Sequence, residues 1–564
     1  MKKHYETHVE DTDKLISVAG PVLDYKSWYE QYRKLMEEQA QRKYGLYTPT
    51  SEGDDDNFPS IPGITARYLA LGLTNEQMAE NPVWKDLTGN GHDLQMKNFA
   101  WKGMSGVGGY GDENYQTFYK FTLDDYVFIA NPPGVEHMNF TFRVTGLQPG
   151  NKLTLAFFGT TNTVYGTWDK DGIYTVDADI VEAGKPTYFY NGYGATRGEF
   201  TIEILPLYPG ALVFDGVDDC GVCENFPILT KEKGYTVVAL RQWDQDFLNT
   251  TLTGGLLSTR NYSTGEGVAF EKIESSNKGY WNLGVGGIID FAKSPFTWQT
   301  SKQYNNVGIL KGDKNHGKPL CVGCGLSGGQ QCGRFAIWEL VFLDHDATEE
   351  ELTKIKDYFV KTYPWLFPDQ AWTVVGKTNE DEDRATIANI TGNGNDLILS
   401  NFGFAEGSGY NEQGEYAGYL VTDRVDDKIT SSIFEMGNDW TIIGDWELIN
   451  TEKKDNAGIV KFNSIVIYNY NPILINIKNG RNNLIPDQNT VNAICSDGRI
   501  YSKDWKEFIY NEETESTSKN FLTIGYSGNS YTKIAFKNLA IYPTVLSKED
   551  CIKAYNYLQT LKAK

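Results

Sequence analysis

The string TGNGHDLQMKNF at 88–99 returns as TGNGNDLILSNF at 391–402, so Thr88 recurs as Thr391, 303 positions later. Glycine and asparagine repeated in order across such a gap are the mark of duplication. A second pair, LVFDGVDDC at 212–220 and LVTDRVDDK at 420–428, is only 208 positions apart. The spacings differ by 95, so the first repeat holds about 95 extra residues between its two motifs. That is the size of a small independent domain. A third pair closes each unit: Trp338-Glu339-Leu340-Val341-Phe342 against Lys537-Asn538-Leu539-Ala540-Ile541.

Each closing strand is followed by a helix signal. Thr348 with Glu351, and Ser547 with Asp550, put a hydroxyl at the N-cap and an acid three residues on, the chemistry of a capping box. Leu352, Ile355, Tyr358 and Phe359 then fall at helical spacing, predicting a short amphipathic helix that packs on the rest of the unit. Elsewhere the pattern is short alternating runs, such as 236–240, 465–468 and 521–525, bounded by Gly, Asn, Asp or Pro. The extra segment has its own runs at 140–147, 152–159, 172–180, 187–190 and 200–205. Turns at Gln148-Pro149-Gly150 and Lys170-Asp171-Gly172 separate several of them, predicting a small Ig-like sandwich.

Charge narrows the partners. With 52 Lys+Arg against 74 Asp+Glu the formal charge is -22, which repels a phosphate backbone and an anionic bilayer, so neither nucleic acid nor membrane insertion is expected. No apolar run approaches the ~20 residues of a spanning helix. Met1-Lys2-Lys3 leads into His4, Glu6, Glu10, Asp11 and Asp13 instead of an apolar core, so no standard secretory signal is expected and folding in a reducing cytoplasm is.

Residues 1–60 match neither repeat. Tyr25, Trp28, Tyr32, Leu35 and Met36 recur every three or four positions, with Ser27 and Glu30 as a capping box, predicting one amphipathic helix. Its apolar stripe either folds back on its own chain or serves as a docking and oligomerisation helix. The acidic stretch 52–56, followed by Pro59 and Pro62, reads as a solvated linker.

The order W-x-D-x-TGNG-x-D-L at 84–94, LVFDGVDD at 212–219 and IWELVF at 337–342 resembles the laminin-G-like, concanavalin A-like jelly roll. The resemblance covers 61–112 with 210–367, and again 368–564. It implies an all-β chain of two jelly-roll sandwiches, the first interrupted by the Ig-like sandwich at 113–209, after an N-terminal helical arm at 1–60. The second repeat departs from the pattern at its start, where Ile387 and Asn389 stand in place of Trp84 and Asp86.

Together with the arm and the expected lack of a signal, the resemblance implies a non-enzymatic virion structural or adhesive protein. A phage fibre, tail or capsid-decoration subunit would be assembled in the host cytoplasm as a homo-oligomer. Its arm would meet other virion proteins and its jelly rolls host-surface glycans. Two alternatives stay open: a carbohydrate-binding protein of the bacterial cell surface, and a glycoside hydrolase with dispersed carboxylates. The E-x-D-x-x-E strand that presents paired carboxylates is absent, and only the acidic linker comes near it. No G-x-S-x-G, H-E-x-x-H or phosphate-binding loop occurs, and no catalytic residue is assigned.

One constellation bears on chemistry. Cys220-Gly221-Val222-Cys223 and Cys321-Val322-Gly323-Cys324, with Cys332 nearby, supply two CxxC pairs. Cys220, Cys223, Cys321 and Cys324 are the candidate ligands of a structural zinc; buried small side chains and a disulfide are the other readings. The second repeat has Lys428, Ser431, Thr523 and Tyr526 at these places, so the cysteines come as a set. The resemblance also implies calcium, with Asp93, Asp218 and Asp219 recurring as Asp396, Asp426 and Asp427, although Asp beside Gly and Asn is equally what turns demand. Tyr188, Tyr190 and Tyr193, or Tyr468 and Tyr470, are candidates for stacking on sugars, against the plainer role of core or cross-strand pairs.

Overall fold

A computed structural model describes residues 57–563 apart from intervening stretches, the longest of them 301–318. The expected helix of Tyr25, Trp28, Tyr32, Leu35 and Met36 lies outside the described residues. What is described is mostly β, arranged in several sheets.

The strands form where the sequence alternates. Leu94–Lys97 and its counterpart Leu397–Ser400 each bury two leucine or methionine side chains and turn the residues between them outward. Where a strand is covered on both faces the alternation vanishes: Ile534–Tyr542 is buried throughout and Arg334–Leu343 at every residue after the first.

The duplication is visible strand by strand. In the first repeat one sheet runs Phe296–Thr300, Thr236–Trp243, Arg334–Leu343, Leu212–Asp215, Gly106–Val107, with Ile64–Leu69 also pairing Arg334–Leu343. In the second repeat the corresponding order is Val491–Cys495, Thr441–Leu448, Ile534–Tyr542, Leu420–Val421, Gly409–Tyr410, with Gln370–Thr373 pairing the central strand. Both second strands carry an irregularity at the same place, between Leu240 and Arg241 and between Asp445 and Trp446. The facing sheets agree as well. Val83–Trp84, Leu94–Lys97, Cys220–Cys223, Leu320–Val322 and Gly254–Ser258 parallel Thr386–Ile387, Leu397–Ser400, Lys428–Ser431, Thr523–Ile524 and Gly458–Phe462. One core joins each pair of sheets. Tyr68, Leu212, Val237 and Ile337 meet Leu94, Met96, Val322 and Phe270 in the first; Trp372, Leu420, Ile442 and Phe536 meet Leu397, Ile429 and Ile524 in the second.

The extra segment enters at a hairpin. In the second repeat Tyr410 faces Leu420 and Gly409 faces Val421, joined by a short connection. The first repeat keeps the same two strands side by side, Val107 facing Leu212 and Gly106 facing Val213. Between them the chain builds two further four-stranded sheets, Gly172–Asp179/His137–Thr145/Phe200–Ile204/Phe118–Phe121 and Tyr126–Ile129/Thr187–Asn191/Leu153–Phe157/Thr163–Trp168. They share a core of Phe140, Phe142, Leu155, Phe189 and Ile202. A hairpin tip suits such an addition because its two ends already lie together.

Both helices form with the expected caps. Thr348 opens Glu349–Thr362 with both arms of the capping box in place, and the Asp550 amide donates to the Ser547 hydroxyl at the start of Lys548–Gln559. They pack differently. The first buries a single stripe of Ile355, Tyr358 and Phe359, whereas the second buries seven consecutive or near-consecutive residues from Cys551 to Leu558. The second helix is a joint. Its Tyr557 hydroxyl donates to Gln242 in the first repeat (3.3 Å), Asn556 donates to the Pro206 carbonyl (3.2 Å), and Glu549 pairs with Arg143 of the inserted segment (3.0 Å).

Candidate functional site

The two CxxC pairs obey different geometries. Cys220–Cys223 is a regular strand, whose side chains alternate, so residues three apart face opposite ways. Cys223 therefore joins the core between the sheets, its thiol 3.1 Å from Asn225 Oδ1, while Cys220 points to the outer face. Cys321 and Cys324 escape this rule because Gly323 between them has φ +98°, ending one strand and starting the next. A Cβ at Gly323 would come within 2.4 Å of Phe214 and 2.6 Å of the Asp219 carbonyl, so only glycine fits.

The four expected zinc ligands are thus not brought together. Cys220, Cys321 and Cys324 gather with their sulfurs within 4.8 Å of one another, Cys223 lies across the sheet from them, and Cys324 is bonded to Cys332 in a disulfide. Cys324 and Cys332 face each other across adjacent antiparallel strands. All four outer-face cysteines are buried and form a cluster of their own with Val222. A hydrogen bond from Cys321 draws the Cys220 thiol down to about 7 and raises Cys321 in turn; burial lifts Cys223 to about 11. In the second repeat the same glycine kink recurs at Gly525, φ +74°, but Tyr526 and Tyr531 face each other where the disulfide would be, and Lys428 lies 5.8 Å over the Tyr531 ring. The kink belongs to the shared fold and the sulfur to the first repeat alone.

The acids expected for calcium are committed to turns. Asp219 accepts from Ser105 Oγ (3.0 Å) and the Asp215 amide (3.0 Å); Asp427 accepts from Ser408 Oγ (3.1 Å) and the Asp423 amide (2.7 Å). Burial raises the Asp219 carboxyl to about 8 and Asp427 to about 6. The carboxylates of Asp215, Asp218 and Asp219, and of Asp423, Asp426 and Asp427, do come within 4.8 Å of one another. Asp93 and Asp396 stand apart from these groups and accept the amides of Asp86 (2.9 Å) and Asn389 (2.8 Å).

The Trp84/Asp86 element is structural too. Trp84 is buried and donates to the Leu69 carbonyl (2.8 Å), and Asp86 accepts from the amides of Arg67, Thr88 and His92. Asn389 takes over in the second repeat by accepting from the Ala371 and Thr391 amides while donating to the Gly394 carbonyl and to Gln370 Oε1, the acceptor that Gln370 adds where the first repeat has Ala66. Among the tyrosines, Tyr188 and Tyr190 are half-buried on the face opposite the core residue Phe189; Tyr193 and Tyr470 lie outside the described residues, and Tyr468 falls on the strand Ile465–Tyr468.

A cleft of about 330 Å³ lies where the two repeats meet. Gln242, Leu366, Ile390 and Tyr557 form a buried floor, with Lys356, Asp369 and Asn393 on the exposed rim. The Asn393 side chain and the Thr391 hydroxyl donate to the Asp369 carbonyl (2.7 and 3.1 Å), holding the TGNG loop at the mouth. These residues come from segments scattered over the chain, and only the TGNG motif signalled any of them.

No family model matches the sequence. No curated protein matches it either. Among solved structures the chain is similar to Trypanosoma rangeli sialidase at 7% identity, covering 68% of each chain with a TM-score of 0.26. It is also similar to the botulinum neurotoxin serotype D binding domain at 10% identity, covering 61% of this chain and 89% of that one with a TM-score of 0.21.

Proposed function

We propose that this chain is a non-enzymatic adhesive protein that binds glycans through its jelly-roll repeats, carried on a phage particle as a fibre, tail or capsid-decoration subunit. The cleft between the repeats carries the binding part of the reading. A saccharide offers hydroxyls that both donate and accept, and C–H faces that bury against apolar surface. Lys356, Asp369, Asn393 and Gln242 around Leu366 and Ile390 supply both kinds of contact in one concavity. The facing sheets that share a core in each repeat suit the concanavalin A-like jelly roll, and the acids common to both repeats cap turns, which favours binding over hydrolysis. The particle assignment rests on the sequence resemblance and the tandem architecture.

The test is a glycan array probed with the full chain, followed by Asn393→Ala and Lys356→Ala. Retained glycans should bind about tenfold more weakly to each variant, ~1.4 kcal/mol for one lost polar contact. An array without a hit, or variants that bind as the parent does, would remove the cleft from the reading. Release of sugars by the purified chain would replace adhesion with hydrolysis. Capsid or portal genes beside the coding sequence are expected; cell-wall anchoring genes there would favour the bacterial surface.

A further inference from the structure

We infer that the outer-face cysteines of the first repeat, Cys220, Cys321, Cys324 and Cys332, form a tetrathiolate zinc site in the reduced protein, of which the Cys324–Cys332 disulfide is the metal-free oxidised form. The sequence pairs Cys220 with Cys223, but strand alternation puts Cys223 in the core, and the fourth sulfur on the correct face is Cys332. Three sulfurs already lie within 4.8 Å of one another and the fourth is bonded to one of them. Four thiolates on one ion is the ligand set that tetrahedral zinc favours, with Zn–S about 2.3 Å.

Three features of the surroundings fit a metal better than chance burial. First, the kink at Gly323 turns Cys321 and Cys324 to one side at CxxC spacing, and the Cys324 amide hydrogen-bonds the Cys321 sulfur, a contact that stabilises thiolate over thiol. Second, Lys97 stands directly opposite Cys220 on the neighbouring strand, where its ammonium offsets part of the doubly negative charge of a zinc tetrathiolate. Third, the second repeat keeps the kink but none of the sulfurs: Lys428, Thr523, Tyr526 and Tyr531 occupy the four places, so the first repeat differs from its duplicate by a complete ligand set.

A dithiol reductant passes two electrons to the Cys324–Cys332 bond, which breaks to two thiols as the reductant closes to its own disulfide. One Zn²⁺ then binds four sulfurs and releases the protons they still carry. A low-molecular-weight disulfide that takes up two electrons and is itself cleaved to two thiols remakes the Cys324–Cys332 bond, removes two ligands and expels the ion.

The experiment uses the full chain. It is reduced with dithiothreitol without oxygen, freed of the reductant, given Zn²⁺ and desalted, and its metal is measured by elemental analysis. One zinc per chain is expected after reduction and less than a tenth of that without it. Cys332→Ser and Cys321→Ser should each abolish retention, while Cys223→Ser should leave it intact. Loss of zinc in Cys223→Ser, or full retention in Cys332→Ser, overturns the ligand set. No zinc in the reduced parent overturns the site. Because a serine variant can misfold, the parent is also loaded with Co²⁺, where the absorption of a tetrahedral four-thiolate complex is expected and that of three or fewer thiolates is the contrary result.

Discussion

Arg67 shows how far single residues of the two repeats have diverged beneath a common backbone. Its guanidinium is buried against Glu339 and donates to the Tyr358 hydroxyl (3.0 Å), while Tyr363 donates to the other Glu339 oxygen (3.2 Å). The network ties the first strand and the central strand to the helix Glu349–Thr362. At the same places the second repeat has Ala371 and Asn538, and both polar atoms of the buried Asn538 amide lack a hydrogen-bond partner among the described residues. Removing one member of a buried pair strands its partner's charge, so Arg67→Ala is expected to lower stability by about 3–5 kcal/mol in urea denaturation. Asn538→Leu should do the reverse and gain about 1 kcal/mol, since an unpaired buried amide is costly; a loss there would show that the amide is satisfied after all. Asp219 supplies a second residue-scale prediction. Burial raises its carboxyl to about 8, against about 4 in an unfolded chain, so between these values the folded state holds a proton that the unfolded state has released. Its contribution to stability is therefore full below about pH 4 and declines as the pH rises to about 8. In Asp219→Asn, melting temperatures across that range should lose this slope. An unchanged slope would place the titration elsewhere.

At the scale of elements, much was legible in the sequence because the signals were local or periodic. The two TGNG strings lie in stretches that share a strand order, and the Thr348 and Ser547 caps mark the starts of both helices. The CxxC spacing does not sort the cysteines by face, because it carries no secondary structure. In a strand that spacing separates the thiols, and only a residue with positive φ brings them back. Gly323 was the visible clue, since it recurs as Gly525 beside Tyr526, but a glycine between two cysteines does not announce the sign of its φ. The breadth of the second helix was also legible in principle. Cys551, Ile552, Ala554, Tyr555, Tyr557 and Leu558 cover more than one stripe, the pattern of a helix buried on several sides. The cleft was not legible, because its walls meet only after both repeats have folded and packed.

For the whole molecule, that helix makes a sharper prediction than the far larger inserted segment. The insert has its own core, leaves and rejoins the first repeat through adjacent strands, and touches the second helix through the Arg143–Glu549 pair and the Pro206 carbonyl. A partly exposed ion pair contributes about 0–1 kcal/mol and one hydrogen bond about 1 kcal/mol. Replacing 113–206 with a two-residue turn should therefore leave both repeats folded, with their melting temperature lowered by only a few degrees. The helix is short but buries six apolar side chains, among them Tyr555, Tyr557 and Leu558, and Tyr557 packs on Trp338 of the first repeat with ring centroids 6.3 Å apart. At roughly 1.5–3 kcal/mol for each large side chain, its removal costs on the order of 10 kcal/mol, as much as a whole domain's stability. Ending the chain after Leu546 should thus unfold the second repeat and open the Trp338 surface of the first. Scanning calorimetry of the two constructions decides the matter: a truncated chain that melts like the parent, or an excised chain that does not fold, would show that the repeats are joined by the insert instead of by the helix.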